Sequence, residues 1–289
     1  MKERWLGGFI TSSHKRTEND QTRRHTAGRK RGRRRRWHPV YTVVVLAFLC
    51  VAGISAVTQP PFDQSQTAYE KTDGYQISDD SDTASQSTCM ADPDSIPDYS
   101  GQDYIVLNDG IPNFTSWDVE NISGQTLSPL DSLGRCGVAY AKLDQSMAPT
   151  EERGSIGQIK PTGWVQNKYE GVVNSNPPYL YNRCHLIAYA LTGENANELN
   201  LITGTRYMNV SIMLPWEEQV MKYLDASTNH VLYRVTPYFA GKELLARGVE
   251  MEAYSIEDNG EGICYHIFVY NVQPGVEIDY RTGDNWLAE

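Results

Sequence analysis

From about residue 101 onward, this 289-residue chain predicts an α+β fold, and three observations carry that prediction. First, the runs 230–239, 244–257 and 263–272 are rich in β-branched and aromatic residues. Asp258-Asn259-Gly260 is a turn between the last two, so an antiparallel meander is expected. Second, a helix is expected from Pro215, a favoured first-turn residue. Glu217 and Glu218 follow in that turn, and Val220, Met221 and Leu224 form an apolar stripe. Third, the chain between Asn182 and Asn209 is dense in Asn, Gly, Thr and Arg, the composition of a loop where function often sits. A chain that is 40% hydrophobic overall has enough apolar side chains to give this region one real core.

The formal net charge of −10 hides a sharp split. Residues 1–38 hold 13 Lys/Arg against 3 acids, and residues 39–57 hold no charged side chain. Residues 58–289 hold 13 Lys/Arg against 33 acids. A basic arm, an apolar segment and an acidic body exclude a plain cytosolic globule. The run Arg29-Lys30-Arg31-Gly32-Arg33-Arg34-Arg35-Arg36 could suggest a nucleic-acid tail, but an apolar segment follows at once. As a helix, residues 39–57 would be about 28 Å long, close to the hydrocarbon thickness of a bilayer. Flanking Lys and Arg stay cytoplasmic, so the arm is expected inside and the acidic body outside. Ser55-Ala56-Val57 is a poor cleavage site, and Leu49 before Cys50 does not suit lipoprotein processing. A retained single-pass signal anchor is therefore expected, with secretion after cleavage as the alternative. Residues 58–100, rich in Ser, Thr, Asp, Gln and Pro, read as an acidic disordered spacer before a domain at 101–289.

Cys89, Cys136, Cys184 and Cys264 fall on the expected outer side, where an oxidising compartment would permit disulfides in three full pairings. No CxxC or Cys/His cluster suggests a metal site.

Of the histidines beyond residue 100, His230 and His266 lie in strand-like runs and read as structural. His185 joins a polar knot, Tyr181-Asn182-Arg183-Cys184, to an apolar run, Leu186-Ile187-Ala188-Tyr189. In a strand Arg183 and His185 share one face, so a guanidinium and an imidazole can point together. Asn195, Asn197, Asn200 and Asn209 follow as possible neutral oxygen ligands for a hard cation, and Glu217 comes next, near the start of the expected helix.

These residues carry a specific resemblance. Tyr181-Asn-Arg-Cys-His185, Leu191-Thr-Gly-Glu-Asn-Ala-Asn197 and Asn200-Leu-Ile-Thr-Gly-Thr-Arg-Tyr-Met-Asn209 resemble the DNA/RNA non-specific endonucleases of the ββα-metal type. The nearest branch is that of Gram-positive secreted and DNA-entry nucleases. Leu214-Pro-Trp-Glu217, His230 to Pro237, Val269 to Gly275, Leu130 to Cys136 and Met147 to Trp164 extend the similarity, while the arm and spacer match nothing. The resemblance implies a ββα-metal core with a central antiparallel sheet and flanking helices. The family commonly has Asp-Arg-Gly-His where this chain has Asn182-Arg183-Cys184-His185. The change at Asn182 is tolerable if that position orients the loop by hydrogen bonds. If its charge tunes His185, activity or its pH optimum changes. Cys184 reads as a disulfide half or an inert buried thiol.

The chemistry that the resemblance implies suits these residue types. Phosphodiester hydrolysis needs a base for water, a cation for the developing charge and a fixed donor on the phosphate. His185 would take the proton from water, and Asn209 would ligate one Mg²⁺, with Mn²⁺ as a substitute. Glu217 would orient the metal's waters, Asn200 would help place the phosphate or those waters, and Arg183 would hold the phosphate. An Asn cap at Asn209 and a helix-dipole partner at Glu217 are the bland alternatives. Residues 101–289 hold 12 Lys/Arg against 24 acids, so the attraction for DNA, or for RNA, must be local. Arg153, Lys160, Lys168 and Arg206 are the candidate substrate-binding cations. A catalytically silent surface module that binds nucleic acid or a protein partner is the competing reading. A hydrolase using Glu217 and Glu218 as a pair is disfavoured, because adjacent helical residues diverge by about 100°.

Overall fold

The computed structural model describes residues 96–289. The basic arm, the apolar segment 39–57, nearly all of the spacer, Cys50 and Cys89 lie outside the described residues. Among the described residues no helix is long and apolar enough to cross a membrane.

The chain runs through β1 (Tyr104–Val106), α1 (Ser116–Asn121), β2 (Gly124–Leu127), β3 (Ala139–Leu143), β4 (Tyr181–His185) and α2 (Tyr189–Thr192). It continues through β5 (Leu201–Thr205), α3 (Leu214–Ala226), β6 (Val231–Tyr238), β7 (Gly248–Ser255) and β8 (Cys264–Tyr270), ending in β9 (Val276–Ile278) and β10 (Asn285–Leu287). A six-stranded antiparallel sheet has the order β1-β8-β7-β6-β3-β2. The expected meander is thus its centre, and the α+β class holds. β7 begins at Gly248, later than Leu244, because a Glu243–Arg247 ion pair of 2.7 Å stabilises a turn there.

Both faces of the central strands are covered, which is why they read as nearly continuous apolar and aromatic runs. On one face Tyr233, Val235, Met251, Ala253, Tyr265 and Ile267 pack against Trp216, Val220 and Leu224 of α3. Phe114, Val119 and Ile122 cover part of the other face, against Leu232 and Tyr254. That second face also holds polar groups. Arg234 Nε donates to Glu252 at 2.6 Å, and His266 Nε2 lies 2.6 Å from Glu250. Burial opposes charge on His266, but its carboxylate neighbours prevail and raise its pKa. His266 is thereby structural, as is His230, whose Nδ1 lies 2.6 Å from Glu257.

β4 and β5 form a separate antiparallel hairpin, with Asn182 opposite Gly204 and His185 opposite Leu201. A π-helical turn over Tyr207–Met213 leads directly into α3, completing a β-β-α unit. Helical structure therefore starts at Tyr207, well before Pro215. A proline inside a regular α-helix would clash with the carbonyl four residues back, and the wider π turn upstream relieves that constraint. Gly204 lets the turn close on the hairpin. A Cβ there would lie 2.7 Å from Cys184 Cβ and 2.7 Å from Met208 Cε.

Cys136, Cys184 and Cys264 are all free, so of the two readings of Cys184 the buried thiol is the one that holds. Cys136 Sγ lies 3.1 Å from the Glu198 carbonyl oxygen, and burial pushes its thiol up to about 11. Cys184 is fully buried beneath the hairpin, 3.5 Å from Met213 Sδ, and its thiol is also pushed up by burial. Cys264 lies on the face near Gly110, away from both. Alkylation of the denatured, unreduced protein followed by peptide mass spectrometry is expected to label all three. Recovery of any of them in a disulfide-linked peptide would contradict this packing.

Candidate nuclease site

His185 ends β4 and is 6% exposed. Its Nε2 lies 2.8 Å from the backbone carbonyl oxygen of Asn195. A carbonyl only accepts, so Nε2 carries the proton and Nδ1 keeps its lone pair. Arg153 Nη2 donates to that Nδ1 at 3.2 Å. Burial lowers the His185 pKa; the Asn195 carbonyl opposes the shift, and the Arg153 charge adds to it. The result is a neutral imidazole near pH 7 with one acceptor nitrogen facing a guanidinium.

The guanidinium beside the imidazole is therefore Arg153's. Arg183 lies in β4 as expected, but its guanidinium is bound by the loop that crosses the hairpin. Nη2 donates to the Gly157 carbonyl at 2.7 Å, Nε donates to the Ile159 carbonyl, and the group stacks 4.3 Å over the Trp164 ring. Asn182 is half-buried and makes no side-chain hydrogen bond among the described residues, so it does not orient the loop in the expected way.

Asn200 also requires correction. It is fully buried, accepting from Ile187 N at 2.9 Å through Oδ1 and donating to Ile187 O at 2.9 Å through Nδ2. Both halves of its amide are engaged with backbone and are not available to phosphate or metal waters. This clasp ties the chain after β4 to the start of β5 and so fixes the end of the strand that carries His185.

Asn209 lies in the π turn, half-buried, with no side-chain hydrogen bond among the described residues. It does not cap the helix, because Arg206 holds the N-cap position. Glu217 is 7% exposed in the first turn of α3 and also lacks a side-chain hydrogen bond among the described residues. The helix-dipole alternative weakens too, since the π turn already occupies the space before that turn. Burial raises the Glu217 pKa to about 8, against the pull of Arg153. A neutral amide oxygen and a buried carboxylate without donors are each of the kind that suits a hydrated hard cation.

The remaining cations are dispersed. Lys160 borders a cavity of about 270 Å³ with Gln158, Thr162, Cys136 and Glu198. Lys168 sits 4.9 Å over the Tyr179 ring, and Arg206 Nε donates to Asn174 O at 3.1 Å. Arg153 alone of the four directly contacts His185. The carbonyl of Asn195 escaped sequence reasoning, which had weighed only that residue's side chain.

The family description that matches residues 117–257 is DNA/RNA non-specific endonuclease. This part of the chain is thus similar to the DNA/RNA non-specific endonucleases. A deoxyribonuclease of Streptococcus dysgalactiae subsp. equisimilis is 32% identical over 111 residues, covering 36% of this chain. That match spans 32% of the relative's own length. NucA from Streptococcus agalactiae, solved with a magnesium ion bound, superposes with a TM-score of 0.56 at 27% identity. It covers 63% of this chain and 86% of NucA. Sda1 nuclease, solved with a bound zinc ion, has a TM-score of 0.53 at 26% identity over 64% of this chain and 96% of its own. The hairpin and helix that carry His185, Asn209 and Glu217 lie within the matched endonuclease segment.

Replacing Asn200 by Ala leaves the Ile187 N–H and carbonyl unpaired in the interior. A loss of about 2–6 kcal/mol is expected in urea unfolding, at roughly 1–3 kcal/mol per unpaired group. Wild-type stability with impaired activity would instead return Asn200 to a substrate role.

Proposed function

We propose that this domain is a metal-dependent endonuclease that hydrolyses phosphodiester bonds in DNA, and that RNA is a second possible substrate. The observation that carries the reading is His185. Its Nε2–H is committed to the Asn195 carbonyl, so a neutral nitrogen of fixed direction remains for a proton from water. Arg153 shares that nitrogen in the absence of substrate. A phosphate is a stronger partner for a guanidinium than an imidazole is, so bound substrate would draw Arg153 away and free Nδ1. Arg183, braced on Trp164 and two carbonyls, would contribute positive charge and shape the loop more than clasp a phosphate directly.

Asn209 would hold the cation by its side-chain oxygen, and Glu217 would orient the waters around it. A bound divalent cation would stabilise charge on the phosphate and the leaving oxygen. Mg²⁺ suits an oxygen-only donor set, with Mn²⁺ as a substitute. The magnesium bound in NucA supports that choice, and the zinc in Sda1 makes it a matter for direct comparison. The acidic background of residues 101–289 leaves Arg153 and a few dispersed cations to attract the substrate, a backbone-directed mode that suits sequence-tolerant cutting. The apolar segment 39–57 beside the basic arm supports a single-pass anchor that holds the domain outside the cell.

With supercoiled plasmid and Mg²⁺, nicking is expected, reduced about 10²–10⁴-fold in His185→Ala and strongly impaired in Asn209→Ala. Undiminished nicking by His185→Ala would remove the base assignment, and inactive wild type in Mg²⁺, Mn²⁺ and Zn²⁺ would favour a silent binding module. Because the imidazole must be neutral and its pKa is lowered, the acid limb of kcat/KM should have its midpoint below pH 6.5. A midpoint above 7 would contradict that environment. Alkaline carbonate extraction of cell membranes should leave the full-length chain in the pellet. A soluble, shortened product would show cleavage.

A further inference from the structure

We propose that Thr205, anchored to the chain just after β8, positions Asn209 through the π turn and so sets the affinity of the site for its cation. The inference rests on the cation role proposed for Asn209. β5 pairs with β4 along one edge, and the Asn271 side chain takes the place of a neighbouring strand along the other. Its Oδ1 accepts from Thr205 N at 2.8 Å, and its Nδ2 donates to Thr203 O at 3.1 Å and to Ala246 O at 2.9 Å. Asn271 directly follows β8. Its own N–H donates to Arg247 O at 2.8 Å, and its carbonyl accepts from Tyr280 Oη at 2.8 Å. Both backbone groups and both ends of the side-chain amide are therefore committed in a fully buried residue. Asn271 thus ties the end of the hairpin to the central sheet, although the two belong to separate sheets.

Thr205 carries that anchorage into the π turn. The first N–H groups of a helix have no partner within it. Met208, in the first turn, is fully buried, so its N–H has no water to turn to. Thr205 Oγ1 accepts from Met208 N at 3.0 Å and donates to Val272 O at 2.6 Å. A hydroxyl can do both at once, and a valine side chain of the same shape can do neither. Arg206, at the N-cap position, makes no side-chain capping bond, which leaves that role to Thr205. The Met208 side chain is confined as well, because a Cβ on Gly204 would lie 2.7 Å from its Cε. Asn209 is the next residue, so the seat of Met208 sets the direction in which the Asn209 amide leaves the turn. The cation ligand is thereby referred, through one hydroxyl, to the rigid end of β8.

Mn²⁺ binding to the full-length chain, followed by the electron paramagnetic resonance of free Mn²⁺ well below the melting temperature, tests this without relying on turnover. Thr205→Val is expected to weaken Mn²⁺ binding about tenfold, as groups that support a metal's ligands commonly do, and Thr205→Ser to keep wild-type affinity. His185 lies at the opposite end of the hairpin pairing, where the Asn200 clasp holds the chain, so its nitrogen chemical shifts should be unchanged in Thr205→Val. Wild-type affinity in Thr205→Val, where Asn209→Ala does weaken binding, would overturn this inference alone, whatever happens to the melting temperature. Equal weakening in Thr205→Ser, or altered His185 shifts, would mark a general loosening of the hairpin and would also overturn it. Wild-type affinity in Asn209→Ala would overturn the cation role of Asn209 and this inference with it.

Discussion

A hydrogen bond from His185 Nε2 to the Asn195 carbonyl is the constraint on which the site depends. The carbonyl cannot donate, so it selects one tautomer and leaves the other nitrogen aimed at Arg153. The bond requires the end of β4 and the loop after α2 to hold their places. The Asn200 clasp on Ile187 holds one, and the Asn197 side chain, accepting from Leu199 N at 3.0 Å, steadies the other. Gly204 then brings the π turn against the hairpin, and with it Asn209. Packing, tautomer and candidate cation site form one chain of dependence.

Burial sets the protonation chemistry of the site. It lowers the pKa of His185 and raises that of Glu217. Arg153 interacts with both, opposing protonation of the base and favouring ionisation of the acid. One guanidinium therefore links the two halves of the site, and its withdrawal onto a phosphate would alter both together. This local arrangement also reconciles an acidic domain with an anionic substrate. Under the proposed function, the field of Arg153 at a bound phosphate would matter more than the net charge of the surface.

Much of this was legible in the sequence, for physical reasons that differ by element. The meander was readable because β6, β7 and β8 are buried on both faces and therefore uniformly rich in apolar and aromatic side chains. His185 stood out because a titratable group between polar and apolar runs has few bland uses. The π turn was not readable, since Pro215 marks a helix start equally well whether or not a wider turn precedes it. Asn200 shows a different limit. Spacing brought it into the motif, but an amide that closes a backbone clasp and one that greets a phosphate look alike until burial is known. Arg183 and Arg153 also look alike in sequence, and only the crossing loop, with Trp164 beneath the guanidinium, separates their surroundings. The Asn195 carbonyl left no side-chain signature at all.

The central claim, a neutral His185 with its proton on Nε2, is most directly tested by nitrogen NMR of histidine-labelled protein at pH 7.5. The His185 resonances can be assigned by their loss in His185→Gln. A pyrrole-type Nε2 and a pyridine-type Nδ1 are the expected result. A proton on Nδ1, or a doubly protonated ring at that pH, would contradict the geometry from which the proposed base follows.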